Sequence, residues 1–120
     1  MATSTIKSLI SDFIPKSITL TKKSSNITDV EFASCIKTGN VCVVRLHFTV
    51  GTAITNTTEV LFTGLPPATY ATRTTIRGIT PNSTGYARIV AGVDGALSNA
   101  YTPGGIPADQ YEGELVYIAK

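Results

Sequence analysis

Charged residues are scarce in this chain. They make up 15% of its 120 residues, well below the roughly one quarter that is usual for globular domains. Ten basic residues against eight acidic ones leave a net charge of +2, which is too small to indicate a nucleic-acid partner. The basic residues are also scattered, apart from Lys22 and Lys23, which fit an exposed turn. We therefore expect no binding to nucleic acid.

Long apolar runs are also missing. No uninterrupted apolar segment approaches the roughly 20 residues that a membrane-spanning helix needs. The N-terminus lacks the basic region, apolar stretch and cleavage site of a signal peptide. The sequence therefore predicts a protein that is not inserted into a membrane and is made without a secretion signal.

Signals for catalysis and metal binding are weak in this sequence, and the one candidate is a carboxylate pair among Asp109, Glu112 and Glu114. The single histidine, His47, has no cysteine or carboxylate at metal-ligand spacing around it. No nucleophile elbow, phosphate-binding loop or zinc-protease motif occurs. Glu112 and Glu114 near the C-terminus are two residues apart, so they would share one solvated strand face. We expect no catalytic residue, no metal and no cofactor, and hence a protein that is not an enzyme.

What the sequence does contain is a strong strand pattern. Residues Val41–Val50, VCVVRLHFTV, form the longest apolar run, and apolar side chains recur there at every second position. Such alternation is typical of a strand with one buried face. The predicted core face consists of Cys42, Val44, Leu46, Phe48 and Val50. The opposite face consists of Val43, Arg45, His47 and Thr49.

The rest of the chain indicates an all-β fold. Further short strands are predicted at 18–21, 30–36, 59–63, 71–79, 86–93, 96–100 and 112–119, with turn residues between them. About eight short strands with turns every eight to twelve residues are typical of an antiparallel sandwich or barrel. The length fits one compact domain, which we place at residues 17–120.

Residues 1–16 form a separate N-terminal segment with a short predicted helix. Ile6, Leu9, Ile10 and Phe13 have the spacing of one apolar helix stripe, and Pro15 ends it. A helix of two or three turns is marginal in water, so the stripe must pack against something. It packs on its own domain, or three copies bundle about a common axis, or the segment is the remnant of a stalk.

Cys35 and Cys42 flank a predicted turn, and their pairing depends on the loop length. A two-residue loop at Thr38 and Gly39 would place them opposite each other, whereas a three-residue loop, 38–40, would set Ile36 against Cys42. We favour the second register, because it places Phe32, Ile36, Cys42 and Leu46 on one apolar face. Free, buried cysteines are then expected rather than a disulfide.

Several segments together resemble the C-terminal head domains of tailed-phage tail fibres and receptor-binding proteins, including prophage tail proteins. The segments are GNVCVVRLHF at 39–48, LPP at 65–67, ARI at 87–89, VDGAL at 93–97 and GELVYIA at 113–119. The resemblance covers residues 17–119. It implies an antiparallel sandwich of jelly-roll type that forms a homotrimer on a stalk within the virion. It also implies binding to a host-surface saccharide or protein.

The sequence departs from the usual arrangement of that family, because only the stripe at residues 6–13, and no long shaft, precedes the domain. Two expectations follow: the sequence is a truncated form of such a protein, or it is a small stand-alone virion protein. A small virion protein that decorates or plugs a capsid or tail, in contact with other virion proteins, therefore remains an alternative to host attachment.

Apolar residues on the second face of the strands favour a subunit interface. Val43 lies beside the core-facing Val44, and Val116 and Ile118 add further apolar surface. The predicted interface comprises Val43, Arg45, His47, Thr49, Ile6, Leu9 and Phe13. Three copies of His47 near one axis would make assembly sensitive to pH; the alternative is a single, half-exposed histidine.

Ligand-binding candidates are aromatic and planar polar residues in or beside loops. They are Tyr70, Arg73, Tyr86, Tyr101, Asp109 and Tyr111. The loop at residues 101–111, rich in glycine and proline, is the favoured location. The alternative is that these tyrosines pack over the rim of the domain.

Overall fold

Nine strands run through the computed structural model, which describes residues 13–120. Their bounds are β1 Lys16–Thr19, β2 Thr21–Lys22, β3 Ile27–Thr38, β4 Val41–Val50, β5 Val60–Thr63, β6 Thr72–Gly78, β7 Tyr86–Ala91, β8 Leu97–Asn99 and β9 Asp109–Ile118. Every pairing between them is antiparallel. The predicted all-β, antiparallel class is confirmed, with nine strands in place of about eight.

The strands form one sheet that is nearly closed like a barrel. Their order is β1-β3-β4-β9-β6-β7-β8-β5-β2. The two edge strands, β1 and β2, are separated only by Leu20, so one stretch of chain pairs with β3 on one side and β5 on the other. The predicted jelly-roll sandwich is not confirmed, because the ladder is continuous from β1 to β2 rather than divided into two sheets.

Strand β4 lies between β3 and β9 and supplies the centre of the core. Its even-numbered side chains are all buried, as the alternation predicts. Phe48 packs edge-on against Phe62 of β5, with ring centroids 5.4 Å apart, and against Tyr111 of β9 at 5.9 Å. These three rings are among the largest fully buried side chains. The core therefore joins strands from opposite walls of the barrel.

The hairpin between β3 and β4 differs from both predicted registers. Thr38 pairs with Val41, which leaves a two-residue loop of Gly39 and Asn40. Gly39 has a φ of 60°, a left-handed conformation that two-residue hairpin loops use and that glycine adopts without strain. The register consequently shifts by one residue from the favoured one, and Ile36 pairs with Val43.

This shift changes which residues of β3 face the core. Phe32 and Ile36 are exposed, whereas Ala33 and Cys35 are buried. The predicted apolar face is therefore wrong for its two β3 residues, Phe32 and Ile36, and correct for Cys42 and Leu46 of β4. Cys35 and Cys42 are both buried and free, as expected for cysteines that pack as small apolar side chains. Burial raises the pKa of Cys35 to about 12.

The loops divide the barrel into two distinct ends. Loops 23–26, 51–59, 79–85 and 100–108 follow or precede strands at one end, hereafter the loop end. The two-residue hairpin and loops 64–71 and 92–96 lie at the other end, hereafter the hairpin end. The chain enters β1 at the hairpin end, since Lys16 pairs with Lys37 there. The two longest loops, 51–59 and 100–108, therefore lie at the end opposite to this point.

The N-terminal stripe lies almost entirely outside the described residues. Phe13 alone belongs to them, in a turn and exposed. Residues 13–120 contain no helix. The predicted short helix lies outside them and is therefore not confirmed. Nothing among the described residues has the helical length and apolarity needed to cross a membrane. The predicted boundary between residues 16 and 17 stays a prediction.

Candidate functional site

A cavity of about 320 Å³ opens at the loop end. Its walls come from the loop between β6 and β7 and the loop between β8 and β9, with the first residue of β9 between them. The lining residues are Ser83, Thr84, Gly85, Tyr86, Pro103, Gly104, Gly105, Pro107 and Asp109. We call this the Asp109 cavity, after its one charged lining residue.

The carboxylate of Asp109 is held in place by the turn that faces it. Thr80 Oγ1 donates a hydrogen bond to Asp109 Oδ1 at 2.6 Å, the amide of Gln110 donates to the same oxygen at 2.7 Å, and the Ser83 hydroxyl donates to Oδ2. Partial desolvation raises the pKa of Asp109, but hydrogen bonds from Ser83 and Thr80 outweigh it, so the pKa lies below its ordinary value. The cavity wall therefore carries a fixed negative charge at neutral pH.

Glycines let the backbone approach this carboxylate closely. A Cβ added to Gly78 would collide with the Ser83 hydroxyl and the Asp109 carboxylate, and one added to Gly85 would lie 3.2 Å from both Asp109 Oδ2 and Tyr111 Oη. Gly104 and Gly105, on the opposite wall, have φ values of 74° and 85°. The cavity thus depends on glycines that the sequence supplies at the two turns.

Tyr101 stands two residues before Pro103, in an unusual conformation. Its φ is 55°, in the left-handed region that non-glycine residues seldom adopt. Its side chain is 61% exposed, while its amide donates to Thr57 O at 2.9 Å. The strain is therefore imposed by the surrounding backbone, and the ring is presented to solvent.

A buried polar network anchors the residue after Tyr101. Thr102 is 3% exposed, and its hydroxyl donates to Asn99 Oδ1 at 2.7 Å and accepts from the Arg88 amide at 3.0 Å. The Asn99 side chain in turn donates to Asn56 O at 2.9 Å. Fully satisfied networks of this kind rigidify the backbone around them. The backbone of Tyr101 is therefore fixed by its own hydrogen bond to Thr57 and by the buried network around Thr102.

The structure brings together only some of the predicted ligand residues. Tyr86 and Asp109 line the cavity, and Tyr101 lies close in the chain to its wall. Tyr70, 79% exposed, and Arg73 lie toward the hairpin end, remote from the cavity. They do not belong to this site.

Tyr111 requires a correction, because it is a core residue. Its side chain is fully buried, and its hydroxyl donates to Pro107 O at 2.6 Å. Burial, together with the neighbouring charge of Asp109, raises its pKa to about 12. The ring packs in the core, where its hydroxyl anchors loop 100–108 through Pro107, and it is not available to a ligand. Sequence reasoning also missed Ser83, Gly104 and Pro107, although the predicted turns contain them.

The outer face of β3, β4 and β9 is the second candidate surface, with a polar part near its middle. Arg45 Nε lies 3.3 Å from Glu114 Oε1, and its guanidinium carbon is 5.7 Å from the Phe32 ring centroid. His47 packs edge-on against Phe32, with centroids 5.6 Å apart, and its Nδ1 is 4.0 Å from Glu112 Oε2. Arg45 and Glu114 are more than half exposed, so their ion pair adds little stability.

Toward the hairpin end the same face becomes apolar. The register places Ile36, Val43 and Val116 side by side, and Val41 beside Ile118. Of these, Val43 is half-buried and the other four are exposed. Adjacent exposed aliphatic side chains on three strands are unusual for a surface without a partner. Thr49, the last predicted interface residue on β4, is half-buried near the loop end, and Ile6 and Leu9 lie outside the described residues.

Metal-ligating side chains do not gather anywhere in residues 13–120: no group of three or more histidine, cysteine or acidic residues is close enough to hold an ion. The polar groups at the Asp109 cavity are instead hydroxyls, backbone amides and one carboxylate, beside tyrosine rings. Such an arrangement suits recognition of a polar ligand through hydrogen bonds and ring contacts.

The fold places the domain in a class of nearly closed antiparallel β-barrels, here with the two longest loops at one end. A solved structure with a similar fold is that of the receptor binding protein (gp15) of Listeria phage PSA. The TM-score is 0.64 at 18% sequence identity, with 99% of this chain and 74% of that chain covered. At this identity the likeness is one of fold. No protein-family model and no curated protein matches the sequence.

Proposed function

We propose that the protein is a non-enzymatic component of a phage virion and that it binds a receptor on the host cell surface through its loop end. The observation that carries the proposal is the position of Tyr101 and the Asp109 cavity, opposite the point where the chain enters β1. An attached domain would therefore present these groups away from its attachment. The fold shared with a phage receptor binding protein supports the same function.

A surface saccharide is the receptor class that fits this end. Sugar rings offer apolar faces that stack on an exposed aromatic ring, and hydroxyls that pair with carboxylate and amide groups. Tyr101 supplies an exposed ring, and Asp109 supplies a fixed acceptor. The backbone strain at Tyr101 supports a binding role, because such strain is concentrated at functional sites.

In this proposal the domain is a C-terminal head that acts as a homotrimer. The apolar part of the outer face, with Ile36, Val41, Val43, Val116 and Ile118, supplies the surface that neighbouring subunits would cover. Arg45 and His47 would lie at the edge of that contact. Trimers carried in several copies would bind tightly even if each site is weak, since linked sites raise the effective concentration.

A glycan array combined with bacterial binding tests the proposal. The labelled protein should bind specific saccharides and bacteria that display them, and Tyr101→Ala should abolish both signals. Tyr70→Ala is the matched control, because Tyr70 is an exposed tyrosine toward the opposite end. Loss of binding in both variants, or in neither, would contradict a site at the loop end.

The alternative function is a decoration or plug protein of a capsid or tail whose surfaces serve only assembly. The apolar outer face favours it, since that face needs a protein partner but no receptor. Light scattering of the wild type and of Ile118→Glu measures whether this face holds subunits together. Assembly with virion proteins, without any binding to cells or saccharides, would support the alternative.

A further inference from the structure

A second opening at the loop end has a polar lining. It measures about 380 Å³ and lies between loop 23–26 and the end of loop 51–59. Its side chains include Lys23, Ser24, Asn56, Thr58 and Glu59. We call it the Glu59 cleft. No residue of this cleft lines the Asp109 cavity.

The polar groups of the Glu59 cleft are fixed in position. Glu59 Oε2 accepts hydrogen bonds from the Ser24 hydroxyl and, at 3.0 Å, from Asn26 Nδ2, and Ser24 is itself buried. Asn56 Oδ1 accepts from the amide of Thr58 at 3.1 Å. Within residues 13–120, Glu59 Oε1 accepts no hydrogen bond and Asn56 Nδ2 donates none. An acceptor and a donor are therefore left for a ligand.

Hydrogen bonds tie this cleft to the loop that walls the Asp109 cavity. The amide of Tyr101 donates to Thr57 O at 2.9 Å, and the amide of Asn99 donates to Glu59 O at 2.8 Å. Two residues beyond Tyr101, Pro103 lines the Asp109 cavity. Tyr101 is thus hydrogen-bonded through its backbone amide to the loop that borders the Glu59 cleft. Along the chain it is also close to Pro103 in the wall of the Asp109 cavity.

We infer that the Asp109 cavity and the Glu59 cleft are two subsites for one extended ligand, with the Tyr101 ring stacking between them. The ligand is a neutral, hydroxyl-rich saccharide chain of at least two sugar units. This inference rests on the proposed receptor-binding function and specifies its ligand. It adds Glu59, Asn56 and Lys23 to the binding surface.

The charges of the two openings argue for a neutral ligand. Asp109 is the one charged residue that lines its cavity, so a carboxylate or phosphate on the ligand would meet repulsion without a compensating cation. In the cleft, Lys23 is exposed beside Glu59, which leaves the two charges balanced. Neutral hydroxyls can bond to both carboxylates without this electrostatic penalty.

The test measures binding of the full chain to immobilised neutral saccharides of one to six sugar units, and to uronic-acid and phosphate-bearing chains of the same lengths. Neutral chains of two or more units should bind at least about tenfold more tightly than their single sugars, and acidic chains should bind more weakly than neutral ones. Glu59→Gln should remove most of this gain in affinity with chain length. Glu31→Gln is the control, because Glu31 is an exposed carboxylate on β3 that lines neither opening.

Each result separates this inference from the proposed function. Equal affinity for single sugars and longer chains, or an unchanged profile in Glu59→Gln, would overturn the two-subsite arrangement while receptor binding stands. A preference for acidic chains would overturn the neutral ligand class. Binding to bacteria with no binding to any saccharide would overturn the inference and keep the function, whereas no binding to either would remove both. If Glu59→Gln does not fold, Asn56→Ala replaces it.

Discussion

Ile54 and Ile106 exchange two backbone hydrogen bonds, each 2.9 Å from nitrogen to oxygen, although they lie in different loops. Both side chains are fully buried. The pair therefore closes the loop end with an apolar layer and ties loop 51–59 to loop 100–108, which contains Tyr101. Long loops are usually mobile, but these two are anchored as a unit.

Ile106→Ala should lower the free energy of unfolding by about 2–5 kcal/mol, the range for truncating a buried isoleucine. Urea denaturation followed by circular dichroism measures this. Ile79→Ala is the control, because Ile79 is exposed in the neighbouring loop at the same end, and its effect should be within about 1 kcal/mol. Similar losses in both variants would contradict the role of Ile106 as an anchor.

Tyr101→Gly should be more stable than Tyr101→Ala, by about 1 kcal/mol, because glycine adopts a φ of 55° without strain and alanine does not. Both variants should lose saccharide binding, since both lack the ring. At Tyr70, which has no positive φ, the order should reverse, with alanine at least as stable as glycine. Thermal unfolding of the four variants gives the melting temperatures of the glycine and alanine variants at each position. The same order of stability at both positions would contradict backbone strain at Tyr101.

The pKa of Asp109 is lower in the folded protein than its ordinary value, so ionised Asp109 stabilises the fold. That contribution is fully present above about pH 4, the ordinary value, and is lost as the pH falls through the lower, folded-state pKa. The wild type should therefore melt at a higher temperature than Asp109→Asn at pH 6, and the difference should shrink at acid pH. Melting curves from pH 2 to pH 7 check this, with Asp29→Asn, which removes an exposed carboxylate on β3, as the control. A constant difference across the range would contradict it.

Both thiols should be unreactive in the native protein. Cys35 and Cys42 are fully buried, and the pKa of Cys35 is raised to about 12 by burial, whereas only the thiolate reacts with disulfide reagents. Titration with such a reagent at pH 8 should detect no thiol in the native state and two in denaturant. A fast-reacting thiol in the native state would contradict the buried position of these residues.

The sequence predicts best where one periodic pattern decides the structure. The alternation in Val41–Val50 identifies that strand and its buried face correctly, because the burial of every second residue is a property of the strand itself. The sequence places Tyr111 in a loop because its pattern predicts a last strand that begins at about residue 112. It begins at Asp109, which puts Tyr111 in phase with the buried Leu115 and Tyr117.

Two kinds of feature could not be predicted: the exact length and position of a hairpin turn, and sites formed between distant segments. The register of β3 depends on a loop of two residues rather than three, and a single residue of slip exchanges the inner and outer faces. The Asp109 cavity forms between two loops about twenty residues apart in the chain, and the Glu59 cleft between loops more than thirty residues apart. Nothing local in any of these loops specifies its neighbour.

The position of β1 also determines how the domain would bear a mechanical load. The chain enters at the hairpin end, and Tyr101 lies at the loop end. A pull between these two points is directed largely along the strands, at right angles to the ladder hydrogen bonds that join β1 to β3 and β2 to β5. These bonds would be loaded in shear and would have to break together rather than one by one. Under the proposed function, tension between a virion and a bound cell would thus act along the direction in which the barrel is hardest to open.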